Sequence, residues 1–236
     1  MGKNLIQQAR GKGGPRYRVP SFNFAGKIKL KTLKNELIKG KIIDLLICPG
    51  HSAPLAQIQY EDGETSLISA PENVRVGEEV SAGGLEIKPG NVVSLRNIPE
   101  GTNIYNIEDK PGDGGIYCRT TGSTAKIVTK SEKIAMILLP SKKEREFDLN
   151  CRAVVGIVSG SGRTEKPWLK AGKKHFEKQA RNKRYPNSSA CKQNAVDHPF
   201  GNKRSSRKAH QIAVGHFAPP GKKVGKLWPR RTGRKR

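Results

Sequence analysis

A chain of 236 residues has room for one sizeable hydrophobic core or two small ones. Its 45 Lys and Arg against 20 Asp and Glu leave a net charge of +25, a self-repulsion that a compact protein sustains only beside a polyanion. No run of some 18 apolar residues exists to span a bilayer, and the N-terminus lacks the apolar region of a signal peptide.

The charge is segregated: residues 1–36 carry +8, residues 37–165 carry −2 and residues 166–236 carry +19. A near-neutral body between two cationic arms is the footprint of a nucleic-acid binder. Neither arm has the wide apolar face of a membrane-surface helix, so no membrane partner is expected. The cysteines Cys48, Cys118, Cys151 and Cys191 form no Cys-x-x-Cys pair and read as reduced thiols of a cytoplasmic protein.

Taken in order, residues 1–36 form a basic arm. Gly and Pro around Arg10, Lys12, Arg16 and Arg18 argue against a regular element, and the arm is expected to order on a partner with its cations on phosphates. Tyr17, Phe22 and Phe24 have two open roles, stacking on bases or anchoring the arm to the body. From Leu37 the texture becomes β. Strands are expected at Ile38–Ile47, Leu55–Tyr60, Thr65–Ile68, Val74–Val76, around Val80 and at Leu85–Ile87, with Glu61–Glu64 as a hairpin turn. Short strands without intervening helices suit an OB-like barrel over residues 37–86. A second barrel over residues 87–165 would use Asn91–Leu95, Asn103–Ile107, Ile116–Arg119, Thr124–Val128, Lys133–Leu139 and Arg152–Val158. The class is therefore mainly β, two small barrels in tandem.

Residues 166–236 carry a basic helix and an extended tail. Lys170, Lys173, Lys174, Lys178 and Arg181 recur at helical spacing and share a face, and the helix stops before Pro186. Farther on, Lys222 and Lys223 follow a Pro-Pro-Gly turn, and Arg230, Arg231 and Arg234 close a stretch that cannot form a core.

The stretch Asn194–Gly201 holds the pair Asp197 and His198 before Pro199. Pro199 drives His198 out of the helical region and Gly201 permits a tight or left-handed turn, so a stiff loop presents an imidazole. A hydrolytic triad would need a nucleophile elbow that is absent. A zinc site from Cys191, His198, His210 and His216 fits no known ligand spacing. Contact of His198 with an RNA backbone or base edge is the remaining reading. Glycines at 112, 114 and 115 and at 160 and 162 match neither the Walker nor the Rossmann pattern; for a nucleotide cofactor they read as tight turns, and close backbone approach to RNA phosphate stays open.

At Asn194–Gly201, with Ala218–Gly225 and Arg230–Arg234, the chain resembles the large-subunit ribosomal protein two family in its archaeal-type form. Further matches run along the whole length, among them Ala53–Ala56, Lys88–Asn91, Ile98–Thr102, Pro111–Gly115, Cys151–Ala153 and Lys170–Lys174. The resemblance implies an OB-fold barrel followed by an SH3-like barrel, with both termini threaded into large-subunit rRNA near the peptidyl transferase centre. It implies partners in neighbouring large-subunit proteins and in the small subunit through an intersubunit bridge, and a place on the cytoplasmic ribosome. In the family the loop matching Asp197, His198 and Pro199 reaches toward that centre, where the chemistry belongs to RNA; His198 would then position and not transfer protons. Where the family has three glycines after this loop, the chain has Gly201, Asn202 and Lys203, and Lys203 with Arg204 supplies charge instead. The expected rRNA contacts are Arg10, Lys12, Arg16, Arg18, Lys170, Lys173, Lys174, Asp197, His198, Pro199, Gly201, Lys203, Arg204, Lys222, Lys223, Arg230, Arg231 and Arg234. No catalytic residue, small-molecule substrate or cofactor is expected, with room only for structural Mg or K ions between protein and rRNA. A free RNA-binding regulator would share the same tails; an RNA-modifying enzyme would need a cofactor pocket or general base that no motif supplies.

Overall fold

The computed structural model describes residues 3–18, 23–32, 37–202 and 213–227. Phe22, Lys203, Arg204, His210, Arg230, Arg231 and Arg234 lie outside them. The chain divides into two compact units, Ser21–Pro167 and, separately, Met1–Pro20 with Trp168–Arg236.

The Ser21–Pro167 unit is β throughout. Its strands are β1 (Ile38–Leu46), β2 (Leu55–Tyr60), β3 (Thr65–Ser69), β4 (Glu79–Ala82) and β5 (Val92–Ser94), then β6 (Asn103–Tyr105), β7 (Ala125–Lys130), β8 (Ile134–Leu138), β9 (Glu144–Asp148) and β10 (Arg152–Val155). They form one ten-stranded sheet in the order β3-β2-β1-β4-β5-β10-β6-β7-β8-β9. Every strand pair is antiparallel except β4 with β5, which touch only through Ala82 and Val92. The register of β1 on β2 shifts between Ile42 and Asp44, and this bulge leaves Ile42 buried and its apolar neighbour Ile43 exposed.

Two cores lie on this sheet and share three strands. Successive strand residues point to opposite faces, so β5 gives Val92 to the first core and Val93 to the second; β6 gives Tyr105 to the first and Ile104 to the second; β10 gives Val154 to the first and Ala153 with Val155 to the second. The chain after β10 then returns to the first core: Ser159 N–H donates to the Ala70 carbonyl and Glu72 N–H to the Ile157 carbonyl, each 2.9 Å, and Val158 is buried there. The fold is the mainly β one expected, and Val158, beyond β10, belongs to the first core.

Residues 23–32, grouped by composition with the arm, belong to this unit. Lys29 N–H donates to the Leu67 carbonyl (3.0 Å) and Leu30 N–H to the Gly114 carbonyl (2.9 Å). Phe24 packs with Ile28, Cys48 and Leu55 and lies close against Gly50, where a Cβ would collide with its ring; of its two roles it takes the anchoring one. Lys31 is buried, its ammonium 2.6 Å from Asp62 and 3.0 Å from Glu64 and 4.4 Å above the Tyr60 ring. Burial pulls its pKa down, but the hydrogen bonds and charges of the two carboxylates reverse this and leave it raised. Beside it, Arg152 donates from Nη1 to the Lys31 carbonyl (2.8 Å) and from Nη2 to Glu108 (2.7 Å), both side chains being almost fully buried.

Three expectations fail locally. Val74–Val76 and Leu85–Ile87 are not strands, and Leu85 is exposed; the buried Asn91 holds the loop between them and β5 by accepting from Ser81 N–H (2.9 Å) and donating to the Glu86 carbonyl (3.2 Å). Ile116–Arg119 makes only an isolated bridge of Tyr117 to Ile107. In the other direction β9 was unforeseen, since four of its five residues are charged and only Phe147 faces the core; charge on an edge strand discourages further pairing.

The other unit holds α1 (Ile6–Gly11), a 3-10 turn at Pro15–Tyr17, α2 (Ala171–Ala180), a 3-10 turn at Ala190–Lys192, and the two-residue parallel pair β11 (Ala213–Val214) and β12 (Lys226–Leu227). The arm was expected to lack regular structure; α1 corrects this. Leu5 is buried, and its N–H donates to Gln8 Oε1 at 2.8 Å, which caps a short helix that Gly11 and Gly13 then end. Helix α2 is shorter than the basic stretch from Glu165, because Leu169 takes a left-handed φ of 58° just before it. Among the described residues no helix is long and apolar enough to cross a membrane.

Candidate nucleic-acid interface

The cationic arm is folded against the end of α2. Asn182, the second residue beyond α2, sits in the left-handed region at φ 49°, a conformation Asn tolerates well at a helix end. Its Nδ2 donates to the carbonyls of Pro15 (3.2 Å) and Arg18 (2.6 Å). This one amide brings Arg16 and Arg18 to the helix. Arg18 Nε donates to the Gly13 carbonyl at 2.7 Å, and the Arg10 guanidinium lies 5.9 Å from the Tyr17 ring centre. Arg10, Lys12, Arg16 and Arg18 are all exposed. No charge pattern pointed to Asn182; an Asn just past a helical run is the signal that was available.

On α2 the five cations separate by partner. Lys178 and Arg181 lie 3.2 and 2.9 Å from Glu177, which offsets half of their charge. Lys170, Lys173 and Lys174 stand at the N-terminal end, where no acidic residue occupies the first turn. Cations there oppose the helix dipole, so this end is poorly satisfied in the protein alone and well matched to a phosphate. Lys174 also lies 5.8 Å from the Tyr185 ring centre.

The loop around His198 is closed by its own backbone. Asp197 and His198 N–H both donate to the Asn194 carbonyl (3.0 and 3.1 Å), Gly201 N–H to the His198 carbonyl (2.8 Å) and Asn202 N–H to the Gln193 carbonyl (3.2 Å). Gly201 does not take a positive φ; Asn202 does, at 61°. The glycine serves close packing instead, because a Cβ at 201 would stand 2.6 Å from the Gln193 carbonyl oxygen and nearer still to that of Asn194. Asp197 turns to Lys3, whose ammonium is 3.6 Å away and whose N–H donates to the Val196 carbonyl at 2.8 Å. The Asp-His pair thus has no triad geometry.

His198 is turned inward, 8% exposed. The Phe200 N–H donates to its Nδ1 at 3.0 Å, so the neutral ring carries its proton on Nε2. Its first contribution is to brace the loop, and Pro199 is the exposed residue at the tip. Burial holds its pKa below the usual histidine value. The unfolded chain therefore takes up a proton near pH 6.5 while the folded loop still refuses it. The stability from neutral His198 is complete above about pH 6.5 and is lost as pH falls below it. In an NMR titration His198 should protonate below the ordinary histidine value of about 6.5, and loop amide protection should fall over the same interval. A His198 midpoint at or above about 6.5 would count against the buried geometry.

In the tail, Lys222 and Lys223 follow a turn in which both N–H groups donate to the Pro219 carbonyl (2.9 and 3.1 Å). Lys223 Nζ donates to the His216 carbonyl at 3.0 Å, and Val224 is buried. Among the described residues no three His, Cys, Asp or Glu side chains gather as metal ligands. In the β unit two thiols are muted: burial raises Cys118 to about 11 and Cys151 to about 12.

Two β cores on shared strands, and a cationic unit whose few carboxylates are already engaged, define a protein of the polyanion-binding class. Two family models match the chain: "Ribosomal Proteins L2, RNA binding N-terminal domain" over residues 3–82 and "Ribosomal Proteins L2, C-terminal domain" over residues 88–216. The chain belongs to the ribosomal protein L2 family. It is 45% identical to the large ribosomal subunit protein uL2 of Methanothermobacter thermautotrophicus over all of both chains. It is 44% identical to that of Methanopyrus kandleri and 42% to that of Halorubrum lacusprofundi, over 99% of this chain and 98% of each relative. The archaeal-type resemblance read from the motifs holds, and these relatives are named as ribosomal proteins, not enzymes.

Proposed function

We propose that the chain is a structural component of the large ribosomal subunit in the cytoplasm, holding rRNA with its cationic unit and catalysing nothing itself. The observation that carries this is charge without counter-charge. The unit has five Lys and Arg up to residue 20 and 20 more from residue 168 onward, against two carboxylates, Glu177 and Asp197. Both carboxylates already have cationic partners. Phosphates supply the missing charge, and release of their counterions drives the binding.

In this reading Arg10, Lys12, Arg16 and Arg18 follow the backbone along the arm, while Lys170, Lys173 and Lys174 hold a phosphate near the start of α2. Lys222 and Lys223 hold another, and Lys203, Arg204, Arg230, Arg231 and Arg234 extend the contact. The braced loop of Asp197, His198, Pro199 and Gly201 is presented toward the peptidyl transferase centre, where it supports assembly of the RNA. The β unit meets neighbouring proteins and, across a bridge, the small subunit. Mg or K ions between protein and rRNA would be the only inorganic partners.

A sucrose gradient of cell lysate in high salt, probed for this chain, tests the proposal. Migration with the large subunit after the wash is expected. Recovery only at the top of the gradient would identify a free RNA binder instead.

A further inference from the structure

The cationic unit contains a pocket of about 300 Å³ lined by Arg16, His175, Gln179, Asn182, Lys183 and Tyr185. Of these residues only Arg16 stands among the candidates read from the sequence. His175 and Gln179, four residues apart in α2, face the same way, and Asn182 lies just beyond the helix end. The Asn182 bonds to Pro15 and Arg18 hold the arm's turn at this end of the helix, and Arg16 from that turn joins the lining. The left-handed step at Asn182, with Lys183 N–H donating to the Lys178 carbonyl at 2.8 Å, reverses the chain so that Lys183 and Tyr185 come back against the helix.

The lining has a definite chemistry. Two cations and no carboxylate favour an anion. The Tyr185 and His175 rings offer flat faces, and the Gln179 amide offers a donor and an acceptor together. The size lies at the lower limit of ordinary ligand sites, roughly 300–1,000 Å³, too small for a duplex and sufficient for one nucleotide.

We propose that this pocket receives a single unstacked nucleotide of the bound RNA. Its phosphate pairs with Arg16 and Lys183, its base stacks on Tyr185, and Gln179 meets the base edge. RNA is commonly recognised at such splayed-out bases, by stacking and by hydrogen bonds to their edges. The inference rests on the RNA-binding reading above and adds to it a site that reads a base as well as a backbone.

The test uses the full-length chain and purified large-subunit rRNA, with affinity measured over a salt series and base edges probed chemically. Gln179 is exposed, so Gln179→Leu should leave the fold intact by circular dichroism. Gln179→Leu and Tyr185→Leu should each weaken binding about tenfold and expose the same one nucleotide, while Tyr185→Phe keeps both affinity and protection. The log–log salt slope should not change, since no phosphate contact is removed. Unchanged affinity and protection in Gln179→Leu, with tight binding by the native chain, would overturn the pocket and leave the RNA-binding reading standing. Failure of the native chain to bind the rRNA would overturn both. Saturable binding of free ribonucleoside monophosphates at comparable strength would overturn the assignment to an rRNA nucleotide.

Discussion

Glu108→Ala should destabilise the β unit by about 3–5 kcal/mol, the usual cost of stripping one partner from a buried ion pair. Glu108 is fully buried, and its carboxylate accepts from Arg152 Nη2 (2.7 Å), Nε (3.3 Å) and backbone N–H (2.9 Å), and from the Gly114 N–H (3.2 Å). Removing it leaves the Arg152 guanidinium charged, 6% exposed and without its carboxylate, and it orphans two backbone donors as well. The damage would spread, because Arg152 also holds the Lys31 carbonyl and with it the segment that crosses the first core. A loss of that size is a large part of the total stability of a domain. Urea denaturation followed by circular dichroism measures it. A change in stability under 1 kcal/mol, in the range of an exposed pair, would show that water reaches the site.

Gly201→Ala should open the loop that carries His198. The new methyl would press on the backbone carbonyls of Gln193 and Asn194, and these cannot turn aside as a flexible side chain would, since they accept the N–H groups of Asn202, Asp197 and His198. Overpacking of this kind costs roughly 1–3 kcal/mol, more than a small self-closed loop has to spare. His198 should then become exposed, and its pKa should rise back toward the ordinary histidine value as burial is relieved. Titration of the variant by NMR, with assembly into large subunits as a second readout, checks both parts. An unshifted His198 would mean that the loop absorbs the methyl without opening.

Much of the fold could be read along the chain. β2 was expected at Leu55–Tyr60 and is found there, because alternation of apolar residues is a local pattern that a half-buried strand imposes on its own sequence. Strand β9 escaped because its one core residue, Phe147, sits among charges that serve an edge. Helix α1 escaped because its nucleus is a single buried leucine and a glutamine cap, which glycine-rich composition hides. In the cationic unit the geometry differs from what the residues suggest. Gly201 was singled out for backbone freedom, yet it is needed for close approach, while the left-handed step falls on Asn202. His198 was expected to point outward and is turned in.

Net charge, its segregation and the order of motifs need no coordinates, so the cationic character of the two arms and the family were legible in the chain. Tertiary structure alone decided which residues act together. Val92 and Val93, or Ile104 and Tyr105, are alike in sequence, and only the sheet sends each pair to opposite cores. Arg152 and Glu108 are 44 positions apart, and Arg16 meets α2 through an asparagine more than 160 positions away. Pairings at such separation depend on how the whole backbone closes, and no local periodicity records them.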